Sequence, residues 1–171
     1  ATLSGHSNDV ECVAAYQHGD GVYAASGSDD RTVRLWDLAS NEPVAVLEGH
    51  EDAVRGIATY TTDDDVLVIS SSDDKKVRVW STATRQCLHV LRGHDDGVWS
   101  VAAYQPRGGT PHVISASSNR SLRIWNITSG EHVRTLTGHT VAVVCVATYC
   151  DDDAMAISGS EDFTLRIWHL E

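Results

Sequence analysis

The sequence predicts an all-β protein made of four tandem copies of one unit, each reading as four short strands. Three observations carry this. Trp36, Trp80, Trp125 and Trp168 lie 44, 45 and 43 residues apart. Gly-His pairs end at His6, His50, His94 and His139, with steps of 44, 44 and 45. Tyr16, Tyr60, Tyr104 and Tyr149 step by 44, 44 and 45. One period shared by three independent markers is a tandem repeat, and its length is that of repeat units that cannot bury a core alone. The copies run over roughly 4–47, 48–91, 92–136 and 137–171, so 1–171 is expected to be a single unit with no room for a second domain.

Each copy opens with an apolar run rich in small residues: Val10 to Tyr16, Val54 to Tyr60, Val98 to Tyr104 and Val143 to Tyr149. Such runs suit strands packed on both faces. A turn follows, as in Gln17-His18-Gly19-Asp20-Gly21 and Pro106-Arg107-Gly108-Gly109. The second strand covers Val22 to Ser26, Val66 to Ser70, His112 to Ser115 and Ala154 to Ser158. A tight Asp or Asn turn leads to the third strand, Thr32 to Trp36, Lys76 to Trp80, Ser121 to Trp125 and Thr164 to Trp168. The fourth strand covers Val44 to Leu47, Cys87 to Leu91 and Val133 to Leu136. The segment from Ala39 to Val46 is too short for a helix and carries Pro43.

Composition narrows the function classes. The net charge of −11 repels phosphate backbones, which argues against nucleic acid. No apolar window approaches the ~18 residues of a membrane span, and Ala1 to His6 carry neither the basic nor the apolar region of a secretory signal. Cys12, Cys87, Cys145 and Cys150 form no CxxC and no zinc spacing with histidine. The expectation is buried, reduced thiols in an intracellular, cytoplasmic setting, without metal or other cofactor.

Gly49-His50 followed by Val54, Ile57 and Ala58, then Ser70, Asp74 and Val79-Trp80, resembles the WD-repeat (tryptophan–aspartate repeat) family, and all four copies match. The naming dipeptide is intact at Trp36-Asp37 and reads Trp80-Ser81, Trp125-Asn126 and Trp168-His169 elsewhere. The resemblance implies a β-propeller whose blades are four-stranded antiparallel sheets.

Three of the copies also hold a His, a Ser and an Asp in fixed register: His6, Ser26, Asp30; His50, Ser70, Asp74; His139, Ser158, Asp162. Copy three has His94 and Ser115 but Asn119. These residue types make hydrolase sites. A catalytic site has no reason to recur in every copy, and the nucleophile elbow Gly-x-Ser-x-Gly is absent. The alternative is a buried hydrogen-bond chain from the indole of Trp36, Trp80, Trp125 or Trp168 to Ser, then His, then Asp, a tetrad that the resemblance also implies. Arg34, Arg78, Arg123 and Arg166 sit two before each Trp and are expected to cover the indole. The runs Asp63-Asp64-Asp65 and Asp151-Asp152-Asp153 lack a calcium loop pattern.

The resemblance places the Gly-His loops and the turns after the second strands on one face, the family's usual binding surface. The loops would bring Asp9, Glu51, Asp52, Asp95 and Asp96; the turns Asp29, Asp73, Ser118 and Glu161, with Arg31, Lys75, Lys76 and Arg120 as partial balance. Two readings stand side by side: a docking face for a basic peptide or protein, or acidity that serves solubility. Trp99 stands where the other copies have Glu11, Arg55 or Val144, as a partner anchor or as packing in the channel.

WD-repeat rings commonly have about seven or eight blades, and an open arc of four would expose apolar sheet faces. Residues 1–3 resemble the end of a fourth strand, and copy four shows only three strands. The expectation is a homodimer closing an eight-bladed ring; the alternative is a piece of a longer propeller. Together these readings point to a non-catalytic scaffold for a protein or peptide partner. A hydrolase and a purely architectural repeat segment are the alternatives.

Overall fold

In the computed structural model, residues 1–151 and 153–170 are described; Asp152, within the second acidic run, lies outside them. Among the described residues the strands are β1 (Val10–His18), β2 (Gly21–Ser28), β3 (Val33–Asp37), β4 (Glu42–Leu47), β5 (Val54–Thr61), β6 (Val66–Ser72), β7 (Lys76–Ser81) and β8 (Cys87–Arg92). Then come β9 (Val98–Tyr104), β10 (His112–Ser117), β11 (Ser121–Asn126), β12 (His132–Thr137), β13 (Val143–Cys150), β14 (Ala154–Ser160) and β15 (Leu165–His169). They form four antiparallel sheets in chain order: β1–β4, β5–β8, β9–β12 and the three-stranded β13–β15. Each sheet is one blade. Residues 1–3 take no strand conformation.

The turn between β2 and β3 places a non-glycine residue at positive φ in every blade: Arg31, Lys75, Arg120 and Phe163, at 66–72°. The Asp or Asn just before each one holds the turn by accepting the N–H two residues on, as in Thr32 N to Asp30 Oδ1 at 2.9 Å.

The core lies between blades. One cluster joins Val33, Leu35 and Leu47 of blade one to Val54, Val66 and Val68 of blade two. A second joins Ile69, Val77 and Leu91 to Val98, Val101 and Val113. A third joins Ile114, Leu122 and Ile124 to Val143, Val146 and Ala156. Each innermost strand lies against the next, β1 on β5, β5 on β9 and β9 on β13. A blade therefore has a leading face toward the preceding blade and a trailing face toward the following one.

The thiols depart from the expectation of burial. Cys12 and Cys87 are half-buried and Cys145 and Cys150 are exposed; all four are free. Cys12 and Cys145 hold the same position in blades one and four. Cys12 Sγ is covered by blade two, 3.7 Å from the Val54 carbonyl, whereas Cys145 is covered by no blade among the described residues.

Candidate functional site

The tetrad side chains meet in every blade. In blade one Trp36 Nε1–H donates to Ser26 Oγ at 2.8 Å. Ser26 donates to His6 Nε2 at 2.7 Å, and His6 Nδ1–H donates to Asp30 Oδ2 at 2.8 Å. Blade two repeats this through Trp80, Ser70, His50 and Asp74 at 2.8, 2.8 and 2.9 Å. Blade four does so through Trp168, Ser158, His139 and Asp162 at 2.9, 2.9 and 2.8 Å. Burial raises the affinity of the Asp74 carboxyl for its proton, but hydrogen bonds from the His50 ring and from the Glu51 and Lys76 amides outweigh it and hold Asp74 at about 2. Asp30 is likewise held low, with the Thr32 hydroxyl the strongest of its donors. Asp162 is held low by the Thr164 hydroxyl first, then by His139.

Blade three runs the other way. If blade three followed the direction of the other three, Asn119 would accept from His94. Instead Asn119 Oδ1 is taken by the Ser121 hydroxyl at 2.7 Å, so the amide nitrogen faces His94 Nδ1 at 3.4 Å. His94 then carries its proton on Nε2 and donates to Ser115 Oγ at 2.8 Å, while Ser115 donates to the Arg123 carbonyl at 3.3 Å. Trp125 Nε1–H still reaches Ser115 at 2.9 Å. Burial, with Arg123 nearby, lowers the His94 pKa to about 4.

None of the four serines presents a free nucleophile: Ser26, Ser70, Ser115 and Ser158 are all buried, and each Oγ takes an indole N–H. The repeated arginines lie over the rings in two blades, with Arg78 Cζ 5.7 Å from the Trp80 centroid and Arg123 Cζ 5.9 Å from that of Trp125. Arg78 also donates to the Gly49 carbonyl at 2.6 Å. A Cβ at Gly49 would crowd that guanidinium, which accounts for glycine before His50.

Sequence reasoning missed a second repeated hydroxyl. Ser28, Ser72, Ser117 and Ser160 each donate to a loop carbonyl, of Asn8, Asp52, Asp96 and Val141, and each accepts the amide N–H two residues on. Their constant place two residues after the tetrad serine was the available signal. They tie the turn after each second strand to the Gly-His loop, so loops and turns share one face.

On that face Asp9, Glu51, Asp52, Asp95, Asp96 and Glu161 are exposed. Asp52 and Asp96 accept local amide bonds from Ala53 and Gly97, each at 2.9 Å. Glu51 pairs with Lys76 at 2.6 Å, and Lys75 reaches the Asp95 carbonyl at 2.8 Å. Ser118 caps the Gly97 carbonyl at 3.2 Å. Asp29 and Asp73 are not free carboxylates. Arg55, which sequence reasoning left out of the face, lies 3.0 Å from Asp29 and 3.1 Å from Glu11 through Nη1, and 2.7 Å from Asp73 through Nε. Trp99 Nε1–H donates to the other Asp73 oxygen at 3.1 Å. This network crosses three blades. Arg55, Asp73, Trp99 and Val144 line an open cleft of about 380 Å³. A Cβ at Gly97 would meet both Asp73 and Trp99, so the cleft wall requires glycine there.

Comparison with known proteins agrees with this geometry. The family described as "WD domain, G-beta repeat" matches residues 1–37, 41–81, 85–126 and 130–169. The Nuclear distribution protein PAC1 of Candida dubliniensis is 48% identical over 40 residues, which are 23% of this chain and 8% of that protein. With four repeats matched over nearly its whole length, this chain belongs to the WD-repeat family.

Proposed function

We propose that this chain is a non-catalytic scaffold that docks a basic peptide or a basic patch of a partner protein on the face made by its Gly-His loops and turns. The observation that carries the reading is the Arg55 network. Glu11, Asp29 and Asp73 surround one cation, leaving the cluster net acidic, and Trp99 stands beside it with its indole N–H already satisfied and its ring half-buried. An aromatic flanked by surplus carboxylates suits an arginine or lysine side chain. Asp95 and Asp96 add charge at the rim, where complementarity speeds encounter more than it tightens the complex. The buried serines support a structural role for the tetrads over hydrolysis. Free thiols support an intracellular setting. A second copy completing an eight-bladed ring is part of this reading.

The test is fluorescence anisotropy with a labelled Arg/Lys-rich peptide of about twelve residues and an Asp/Glu-rich control. Expected is salt-sensitive binding of the basic peptide only. The double variant Asp95→Lys, Asp96→Lys should weaken it about tenfold or more, and Trp99→Ala should weaken it with less effect on its salt dependence. Equal binding of both peptides, or binding indifferent to these substitutions, overturns the reading.

A further inference from the structure

The three junctions between blades are not equally filled at the end away from the Gly-His loops. At the second junction the His89 ring of blade two donates to the Thr128 carbonyl of blade three at 3.1 Å. At the third, Arg134 Nη2 donates to the His169 carbonyl of blade four at 2.9 Å. His89 stands opposite Val79 and Arg134 opposite Ile124; the matching residue of blade one, opposite Leu35, is Ala45, which has no group to reach across with. The turn that it faces differs as well. Two residues after their tryptophans, blades three and four have Ile127 and Leu170, exposed by only 2% and 7%. Blade two has the smaller, polar Thr82 there.

The result is a cavity of about 130 Å³ between blades one and two. Tyr16, Tyr23, Leu35 and Val44 wall it on one side and Thr82 and Ala83 on the other, and the exposed His18 lines it as well. Both blades are complete four-stranded sheets that pack on each other. The cavity is well below the ~300–1,000 Å³ of a site for a drug-sized molecule and has the scale of one side chain. It lies at the end of the strands opposite the Gly-His loops, away from the docking face proposed above.

The walls carry a particular chemistry. Tyr16 and Tyr23 stack with ring centroids 5.5 Å apart. Tyr16 is 8% exposed, yet its hydroxyl has no hydrogen-bond partner among the described residues. Its counterpart in blade two, Tyr60, donates to Gln105 of blade three at 2.6 Å; at the first junction the residue matching Gln105 is the shorter Thr61. Burial, then Tyr23 and Asp65, push the Tyr16 phenol up to about 12, so it stays a neutral hydroxyl able to accept a bond. Against the other wall, Asp65 Oδ1 accepts from the Thr82 hydroxyl at 3.0 Å and from the Ala83 amide at 3.1 Å. Burial opposes its charge, but the Ser81 and Thr82 hydroxyls and the Ala83 amide outweigh it and hold Asp65 below the usual carboxylate range. Asp63 and Asp64 stand exposed beside it. Arg85, in the turn that carries Thr82 and Ala83, is exposed and does not line the cavity.

We infer that the cavity between blades one and two takes an arginine side chain presented by a partner protein. The stem lies along Leu35 and Val44, the guanidinium meets the tyrosine rings and donates to the Tyr16 hydroxyl, and the turn holding Asp63, Asp64 and Asp65 supplies the opposite charge. The two filled junctions use the same chemistry, since each sets a nitrogen donor from His89 or Arg134 at this place. An anion would meet the Asp65 carboxylate, and a purely apolar side chain would leave the Tyr16 hydroxyl unmet. This site shares no residue with the loop face and stands or falls apart from it.

The test is a titration of the isotope-labelled full chain with acetyl-Gly-Arg-Gly-amide, followed by backbone amide chemical shifts. The Asp95→Lys, Asp96→Lys background weakens competing binding at the loop face. Expected is saturable binding at roughly millimolar peptide, the level that one side chain reaches, with shifts clustered at Tyr16, Tyr23, Thr82 and Ala83. The lysine peptide should bind several-fold more weakly, and the citrulline peptide, which keeps the shape without the charge, about tenfold or more. Thr82→Ile, which copies Ile127 of blade three, should fill the cavity and weaken binding about tenfold, and Tyr16→Phe about threefold. Far-ultraviolet circular dichroism checks that both variants keep their strands, and the peptide comparison on the unsubstituted cavity needs neither. No saturation at about ten times the expected concentration, equal binding of the lysine, citrulline or a leucine peptide, or indifference to either substitution overturns the inference. Shifts confined to the Gly-His loops and Trp99 overturn it and leave the loop-face reading intact. Arginine binding in the cavity with no basic-peptide binding on the loop face overturns that reading alone.

Discussion

The amide nitrogen of Asn119 faces Nδ1 of His94 at 3.4 Å, so His94 accepts where the other three tetrad histidines donate. One residue difference reverses a hydrogen-bond chain that is otherwise the same in all four blades. Blade three keeps the Trp–Ser–His contacts without a charged end, and a charge-assisted bond is roughly twice as strong as a neutral one.

Asn119→Asp should therefore stabilise the protein by about 0.5–2 kcal/mol at neutral pH, the usual scale of a repeat-consensus change. The new carboxylate would accept from His94 Nδ1–H and keep the Ser121 hydroxyl. Urea denaturation followed by tryptophan fluorescence measures it. An unchanged or lowered midpoint counts against the reversed tautomer.

Acid should weaken the fold in two stages. His94 is held at about 4, against an ordinary value of 6.5. Its contribution is fully present above about pH 6.5 and fades as the unfolded chain takes up the proton between 6.5 and 4. Asp74 is held at about 2 and Asp30 and Asp162 are also low, against 3.8. Their contribution is present above about pH 4 and is lost as pH falls toward 2. Melting temperature followed from pH 8 to 2.5 should show both stages, and Asn119→Asp should remove most of the upper one.

Ser70→Ala deletes the hydroxyl that joins Trp80 to His50 in a fully buried site. Two polar groups lose their partner, at a cost of ~1–3 kcal/mol. Ser158→Ala should cost less than ~1 kcal/mol, because Trp168 is only half-buried and water can reach its indole. Equal losses at the two positions, measured by chemical denaturation, would place the energy outside the hydrogen-bond chain.

The thiols offer a direct report on what covers blade four. Burial pushes the Cys12 thiol up to about 12, so it should resist maleimide. Cys145, at the same position in blade four, is exposed and should react at least tenfold faster in dilute protein. Its labelling should slow as concentration rises if a neighbouring blade covers it as blade two covers Cys12. Mass spectrometry of digested protein separates the two sites.

Much of the fold was legible because each marker does a local job that repeats. Trp36 and its three counterparts need a hydroxyl partner, and a serine ten residues earlier supplies it diagonally across one antiparallel pair, Ser26 standing opposite Arg34 and Ser70 opposite Arg78. Asn119 was legible as a departure, but not the direction of its bond, which depends on Ser121 already holding the amide oxygen. Arg55 was not legible as part of the loop face. It lies on a strand, and its carboxylates Glu11, Asp29 and Asp73 come from two different blades.

The sequence by itself determined the repeat, the strand order within each blade and the membership of every tetrad, because these rest on spacing along one chain. The tertiary structure alone decided which carboxylates are neutralised and which apolar residues reach water. Leu122 and Leu165 read alike in their repeats, as do Val143 and Val10. Their burial depends on whether another blade stands beside them, and a blade's neighbour is a property of the stacked array, not of the repeat.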